Sequence, residues 1–171
     1  MKQKNFTELS MLVDPLDGLK IYHPSCYSDF RGYYWTIFNN KESTEKYNHD
    51  KLSVSRQHTL RGIHGDNVTT KLITCVHGEV FCVAVDNRPD SETYQEWRWT
   101  MLSHHNRRQV VLPPGVGLGY LVMNKSASML YKWSYEGNYP DVDDQFTIKW
   151  NDPTINISWP VKTPLIQDRD A

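Results

Sequence analysis

The sequence predicts a mainly β chain folded as a β-sandwich or jelly roll. Short apolar runs recur at even spacing, and Gly, Pro and Asn turns break them. The 171 residues include six Trp and ten Tyr, side chains that favour pleated, half-buried surfaces. Only Asn39 to Lys51 reads as helix-compatible, and it is polar enough to be a loop. The length suits a single domain, residues 1–171, with a sizeable core.

The elements follow in order. An apolar run from Leu9 to Val13 precedes Pro15, and Leu19-Lys20-Ile21-Tyr22-His23 alternates as a strand. Pro24 to Asp29 is turn-rich, and Arg31-Gly32 leads into a dense aromatic strand, Tyr33 to Phe38. Leu52-Ser53-Val54-Ser55 alternates, which places both serines on one face. Lys71 to Val76 and Val80 to Asp86, joined through His77-Gly78-Glu79, read as a hairpin whose second strand is buried on both faces. Trp97 to Leu102 and Gln109 to Leu112 are further strands, and Gly119 to Met123 with Ser128 to Trp133 read as the next hairpin. From Ile148 onward the tail carries three prolines and two tryptophans, and it is expected to pack over the barrel.

A formal charge of −1 supplies no field for nucleic acid or an acidic membrane surface. Cys26, Cys75 and Cys82 form no C-x-x-C pair, and two of them lie in apolar runs. They read as thiols in a reducing compartment rather than as zinc ligands. The polar start does not read as a signal peptide, and no apolar run is long enough to span a bilayer. A soluble cytoplasmic protein is therefore expected.

The chemistry concentrates in Thr59-Leu60-Arg61-Gly62-Ile63-His64. A histidine beside an arginine and a glycine at the mouth of a β-rich region suggests a base next to an anion-binding group. A lone strand-end histidine with a surface arginine would be the blander reading. The remaining residues of interest tip the balance.

Several segments, in fixed order, resemble the dTDP-4-dehydrorhamnose 3,5-epimerase family, the RmlC-type nucleotide-sugar epimerases. They are Asp29-Phe30-Arg31-Gly32-Tyr33, Leu60-Arg61-Gly62-Ile63-His64, Lys71-Leu72, Gly78-Glu79-Val80-Phe81, Val83-Ala84-Val85-Asp86, Leu130-Tyr131-Lys132, Trp150-Asn151-Asp152-Pro153 and Trp159-Pro160. The resemblance covers nearly the whole chain. It implies a cupin jelly-roll core with short helices at the edges, a homodimer, a nucleotide-diphosphate sugar as substrate, and neither cofactor nor metal.

The implied chemistry suits the residues. A ketone at C4 of a sugar acidifies the hydrogens at C3 and C5, and epimerisation removes one and returns it to the opposite face. By resemblance, His64 is the base, Asp170 orients it, Lys71 stabilises the enolate, and Tyr131 is the acid on the far face. Arg31 and Arg61 match a diphosphate clamp, for which the guanidinium fork is well shaped. Tyr33, His49, Ser53 and Arg169 are further candidate substrate contacts. Taken singly, Tyr131 reads as a packing tyrosine, Lys71 as solvated and Asp170 as a tail charge. Their joint occurrence at matching separations outweighs those readings.

Four positions depart from the family pattern. Leu118 follows Pro113-Pro114-Gly115-Val116-Gly117 where a histidine is usual, which removes a possible metal ligand. Cys82 stands where many members carry an aspartate near the lysine. His49-Asp50-Lys51-Leu52 and Thr36 replace residues that help to read thymine. These last two leave the nucleotide open between thymidine and guanosine, and the sugar open between hexose and heptose. Tyr33, Tyr135 and Tyr139 are candidates for stacking on the base. Three functions remain: an epimerase at C3 or at C3 and C5, a 3,4-ketoisomerase using the same enolate chemistry, and a non-catalytic nucleotide-sugar-binding cupin. A phenol opposite the base favours the first, and the intact set of four catalytic candidates disfavours the third.

Overall fold

The computed structural model describes residues 6–8 and 16–171, and the apolar run Leu9 to Val13 lies outside the described residues. The strands in chain order are β1 (Phe6–Glu8), β2 (Lys20–Pro24), β3 (Cys26–Asp29), β4 (Gly32–Trp35), β5 (His49–Arg56), β6 (Leu60–Gly65) and β7 (Thr70–His77). They continue as β8 (Glu79–Asp86), β9 (Trp97–Ser103), β10 (Gln109–Leu112), β11 (Val116–Val122), β12 (Ser126–Ser134) and β13 (Phe146–Thr147). A six-stranded sheet runs β1-β2-β10-β7-β12-β5, and a five-stranded sheet runs β13-β6-β11-β8-β9. Strands β3 and β4 form a separate hairpin. The helical residues among those described are two single 3-10 turns, Val142–Asp144 and Asp168–Asp170. This is the antiparallel jelly-roll sandwich the sequence predicts.

Two apolar clusters hold it together. Ile73, Cys75, Met129, Leu118, Tyr120 and Cys82 pack between the sheets. Leu60, Ile63, Phe81 and Leu121 face the other way from the five-stranded sheet, where Trp150, Ile157 and Trp159 of the tail cover them. Burying each such Leu or Ile contributes about 1.5–3 kcal/mol relative to exposure. The tail therefore packs as expected, and the indole of Trp159 fixes it by donating to the Trp150 carbonyl at 2.7 Å.

The tail also explains why β8 is buried along nearly its whole length. A strand that is apolar on both faces needs cover on both, and the five-stranded sheet has the inter-sheet core on one side and the tail on the other. Here the structure corrects the two expected hairpins. Strands β7 and β8 lie in different sheets, and so do β11 and β12. The glycine turn at Gly78, with φ of +77°, carries the chain from one sheet to the other. A side chain there would collide with the Ser126 carbonyl, so the crossing demands glycine.

Three local expectations also change. Part of the turn-rich stretch before Asp29 forms β3, which pairs with a shortened aromatic strand, β4. This hairpin is exposed, with Phe30 at its tip 98 % accessible. Asn39 to Asn48 forms no helix, and β5 begins at His49. The serines of β5 do share a face, but it is the inner one: Ser55 is buried while Leu52 and Val54 are 62 % and 68 % exposed.

Asp86 anchors the turn after β8. Its buried carboxylate accepts from Arg88, Ser91 and Thr93 at 2.6–2.9 Å. Burial alone would raise its pKa, but these hydrogen bonds outweigh that and hold the carboxyl well below the usual range. Cys26, Cys75 and Cys82 are unpaired, and no helix among the described residues is long and apolar enough to cross a membrane.

Candidate active site

A cleft of about 270 Å³ opens at one end of the sandwich and is lined from both sheets. Its organising feature is an irregularity in β6. Arg61 faces Tyr120 of β11 and His64 faces Leu118, so three steps along β6 match two along β11. In a regular strand, residues three apart point to opposite faces. The extra residue is a bulge that turns Arg61 and His64 onto the same side, and both line the cleft. Gly62 permits it: its φ is +108°, and a methyl there would collide with the Leu118 carbonyl.

His64 is held at both ring nitrogens. Nε2 lies 2.6 Å from Asp170 Oδ1, and Nδ1 lies 3.1 Å from the Thr147 hydroxyl. Asp170 is 1 % exposed, carried there by the 3-10 turn that closes the tail. A carboxylate accepts only, so it fixes the proton on Nε2 and leaves the lone pair on Nδ1. The Thr147 hydroxyl donates to that lone pair.

Lys71 enters from β7 and is buried. Its Nζ sits 3.1 Å from Asp66 Oδ2. Burial pulls the lysine pKa down and Asp66 pulls it partly back. Asp66 is itself buried, yet the Lys71 charge and hydrogen bonds from Thr69 and Val68 hold it below the usual carboxylate range. Cys82 takes no part in this pair, and Asp66 supplies the carboxylate beside the lysine.

Tyr131 enters from β12 on the opposite sheet and lines the same cleft. Burial pushes its pKa well up, and Tyr120 pushes it further. A hydrogen bond from Ser53 and the positive charge of Arg61 pull the other way. Arg61 is steadied through Nε, which donates to Ser55 Oγ at 2.9 Å.

The remaining wall is aromatic and cationic. Trp133 and Tyr139 stack at 4.9 Å with 3° between their planes, and the Lys51 ammonium lies 4.5 Å from both rings. Arg169 donates to Gln145 Oε1 at 3.0 Å, and both line the cleft. Four cationic side chains, Lys51, Arg61, Lys71 and Arg169, thus line a cleft in which Asp66 is the lining carboxylate. Such a wall suits a polyanion at the open end and a flat ring against the aromatic pair.

The sequence profile of the dTDP-4-dehydrorhamnose 3,5-epimerase family matches residues 14–171. The chain belongs to that family. It is an isomerase-class enzyme, an epimerase. A relative from Shigella flexneri, a dTDP-4-dehydrorhamnose 3,5-epimerase, is 34% identical over 95% of this chain and 93% of its own. The crystal structure of the Legionella pneumophila Philadelphia 1 enzyme RmlC, in complex with dTDP-4-keto-L-rhamnose, superposes with a TM-score of 0.87. It has 31% identity over 96% of this chain and 89% of that one. NovW of Streptomyces spheroides, a 4-keto-6-deoxy sugar epimerase, gives 0.88 at 30% identity over 99% and 86%.

Against this family frame, the fold brings together most of the residues singled out from sequence. His64, Lys71, Tyr131, Arg61, Ser53 and Arg169 line the epimerase cleft, and Asp170 stands directly behind His64. His49 does not line it. Its ring packs 5.0 Å from both Trp133 and Tyr139 and its Nδ1 meets the Tyr135 hydroxyl at 3.0 Å, so it buttresses the aromatic wall. Arg31 and Tyr33 do not line it either. They belong to the exposed β3–β4 hairpin, where Arg31 pairs with Asp29 at 2.6 Å, because the turn between Asp29 and Gly32 points the guanidinium back along its own hairpin. Sequence reasoning missed Asp66, Thr147, Trp133 and Tyr120, and gave Lys51 no role of its own. An acid five residues before a lysine on a strand is a weak signal that a reader could have used for Asp66.

Proposed function

We propose that the chain inverts C3, or C3 and C5, of a nucleotide-diphosphate-linked 4-keto sugar. The observation that carries this reading is the placement of His64, backed by Asp170 of the tail, on one sheet and of Tyr131 on the other, around one cleft. His64 Nδ1 takes the proton from the carbon beside the ketone, and the electron pair moves onto the C4 oxygen. Lys71 faces the resulting enolate oxygen, where a buried cation counts for more than it would in water. Tyr131 then gives its hydroxyl proton to the opposite face of the carbon. Arg61, Arg169 and Lys51 hold the diphosphate, and the Trp133–Tyr139 wall holds the nucleobase. Thymidine is the first candidate, since the Legionella pneumophila relative binds a dTDP sugar. The three unpaired cysteines fit a reducing compartment, the cytoplasm.

The test is solvent-hydrogen uptake. In heavy water, the protein given a dTDP- or GDP-linked 4-keto sugar is expected to place deuterium at C3, or at C3 and C5, with inverted configuration. Mass spectrometry and proton NMR read both outcomes. Absence of uptake with either nucleotide rules the reading out.

The reading includes a homodimer in which the β3–β4 hairpin of one subunit serves the site of the other. Its support is the exposure of Phe30, Tyr34 and Arg31 on a projecting hairpin outside its own cleft. Mixing two poorly active variants, Arg31→Ala and His64→Asn, is then expected to restore activity, because a mixed dimer holds one complete site. A mixture no more active than its parts refutes the shared site.

A further inference from the structure

Tyr120 is fully buried, at 2 % exposure, yet its phenol is polar and reaches the edge of the cleft. It stands on β11, and its oxygen lies 2.9 Å from Ser53 Oγ on β5, across the sandwich. The same Ser53 oxygen lies 3.3 Å from the Tyr131 hydroxyl. Three hydroxyls from three strands therefore form a continuous line that ends on the proposed acid. Neither the family match nor the reaction scheme assigns Tyr120 anything to do.

Hydroxyl bookkeeping gives the line a direction. Each hydroxyl has one hydrogen to donate. For Tyr131 to protonate a carbon, its hydrogen must point at the substrate, so its oxygen is free to accept. Ser53 must then donate to Tyr131, which leaves the Ser53 oxygen to accept from Tyr120. When the Tyr131 O–H bond breaks and the new C–H bond forms, the electron pair stays on the Tyr131 oxygen. That anion is buried, and burial makes an unsatisfied charge costly.

We propose that Ser53 and Tyr120 are positioning residues for the acid: Tyr120 orients the Ser53 hydroxyl, and Ser53 donates to Tyr131, which aims the acid's proton at the carbon and then steadies the phenolate it leaves. Arg61 adds positive charge from the neighbouring strand, already anchored through Ser55. Hydrogen bonds in such chains polarise one another, so the far hydroxyl acts through the near one. The chain serves only the protonation half of the reaction. Proton removal by His64 on the other sheet does not use it.

The inference rests on the reading of Tyr131 as the acid, and the test separates the two. Deuterium exchange and net inversion are measured at the same carbon, together with kcat, KM and melting temperature. Ser53→Ala is expected to lower inversion about 10- to 100-fold, the usual worth of a hydrogen bond to a charged group, while exchange falls less than 2-fold. Tyr120→Phe is expected to give the same signature at roughly 3- to 10-fold, and Ser53→Thr to restore the ratio of inversion to exchange. In Ser53→Ala and Tyr120→Phe, kcat for inversion falls by a larger factor than KM changes. Should Tyr120→Phe unfold, the Ser53→Ala and Ser53→Thr pair decides the matter. Exchange and inversion falling in equal proportion, or inversion unaffected, overturns the chain. If Tyr131→Phe also leaves inversion intact, the acid assignment fails. If Tyr131→Phe alone abolishes inversion, the acid stands and the chain falls.

Discussion

Replacing His64 with asparagine is expected to lower solvent-hydrogen exchange at both carbons beside the ketone by about 10³-fold or more. Asparagine is polar, but its amide overlays Nδ1 and stops short of Asp170, which bonds Nε2. It offers no basic lone pair at the position of Nδ1, so the C–H bond has no acceptor for its proton. The melting temperature should fall by a few degrees, because the buried Asp170 carboxylate loses its partner, and a thermal melt checks that the variant stays folded. Mass spectrometry of substrate incubated in heavy water reads the result. Exchange surviving above a tenth of the wild-type rate would show that another group removes the proton.

Tyr131→Phe should behave differently. The base is untouched, so hydrogen still leaves and returns on the His64 face, and exchange continues. Delivery to the opposite face stops, and inversion should fall about 100-fold or more. The two measurements separate only if the two groups act on opposite faces, which a ketoisomerase returning the proton on the same side would not require. The environment of Tyr131 favours the acid role, since burial raises its pKa and keeps the phenol protonated far above neutral pH. For a group with a raised pKa, the protonated form persists as pH rises. The acid itself should accordingly hold its proton beyond the range where an ordinary tyrosine ionises; a fall in inversion near pH 8 with exchange unchanged would point to a different acid, whereas loss of the Lys71 charge would lower both together.

Much of this was legible in the amino-acid sequence, for identifiable reasons. Alternation located β2 and β5 to within a few residues, because period-2 patterning is set by burial on one face, and short apolar runs between turns located β7, β9 and β10. The family segments carried His64, Lys71 and Tyr131, and the resemblance added Asp170; the fold brings all four to one place from distant points of the chain. Pairing was harder to read. A short turn with glycine is as good for crossing between sheets as for folding back, so Gly78 looked like the tip of a hairpin. Nor does alternation say which face is inside, and β5 turns its serines inward because Tyr120 and Arg61 need hydroxyl partners there. Tyr120 was invisible and Asp66 nearly so, because a strand tyrosine and a loop aspartate have ordinary structural readings, and proximity to Ser53 and Lys71 gives them others. Arg31 lies outside the cleft of its own chain, paired with Asp29, because a motif names a residue without placing it.

The interleaving of strands has a kinetic corollary. Among the described residues, the consecutive strands that pair are β1 with β2, β3 with β4 and β8 with β9. Nearly every other pairing must wait until distant segments have met, which costs loop entropy before it gains contacts. The groups of the cleft sit on both halves, so no half-assembled intermediate owns a working centre. On refolding from denaturant, turnover should be among the last properties to reappear, well after the bulk of the strand signal has returned.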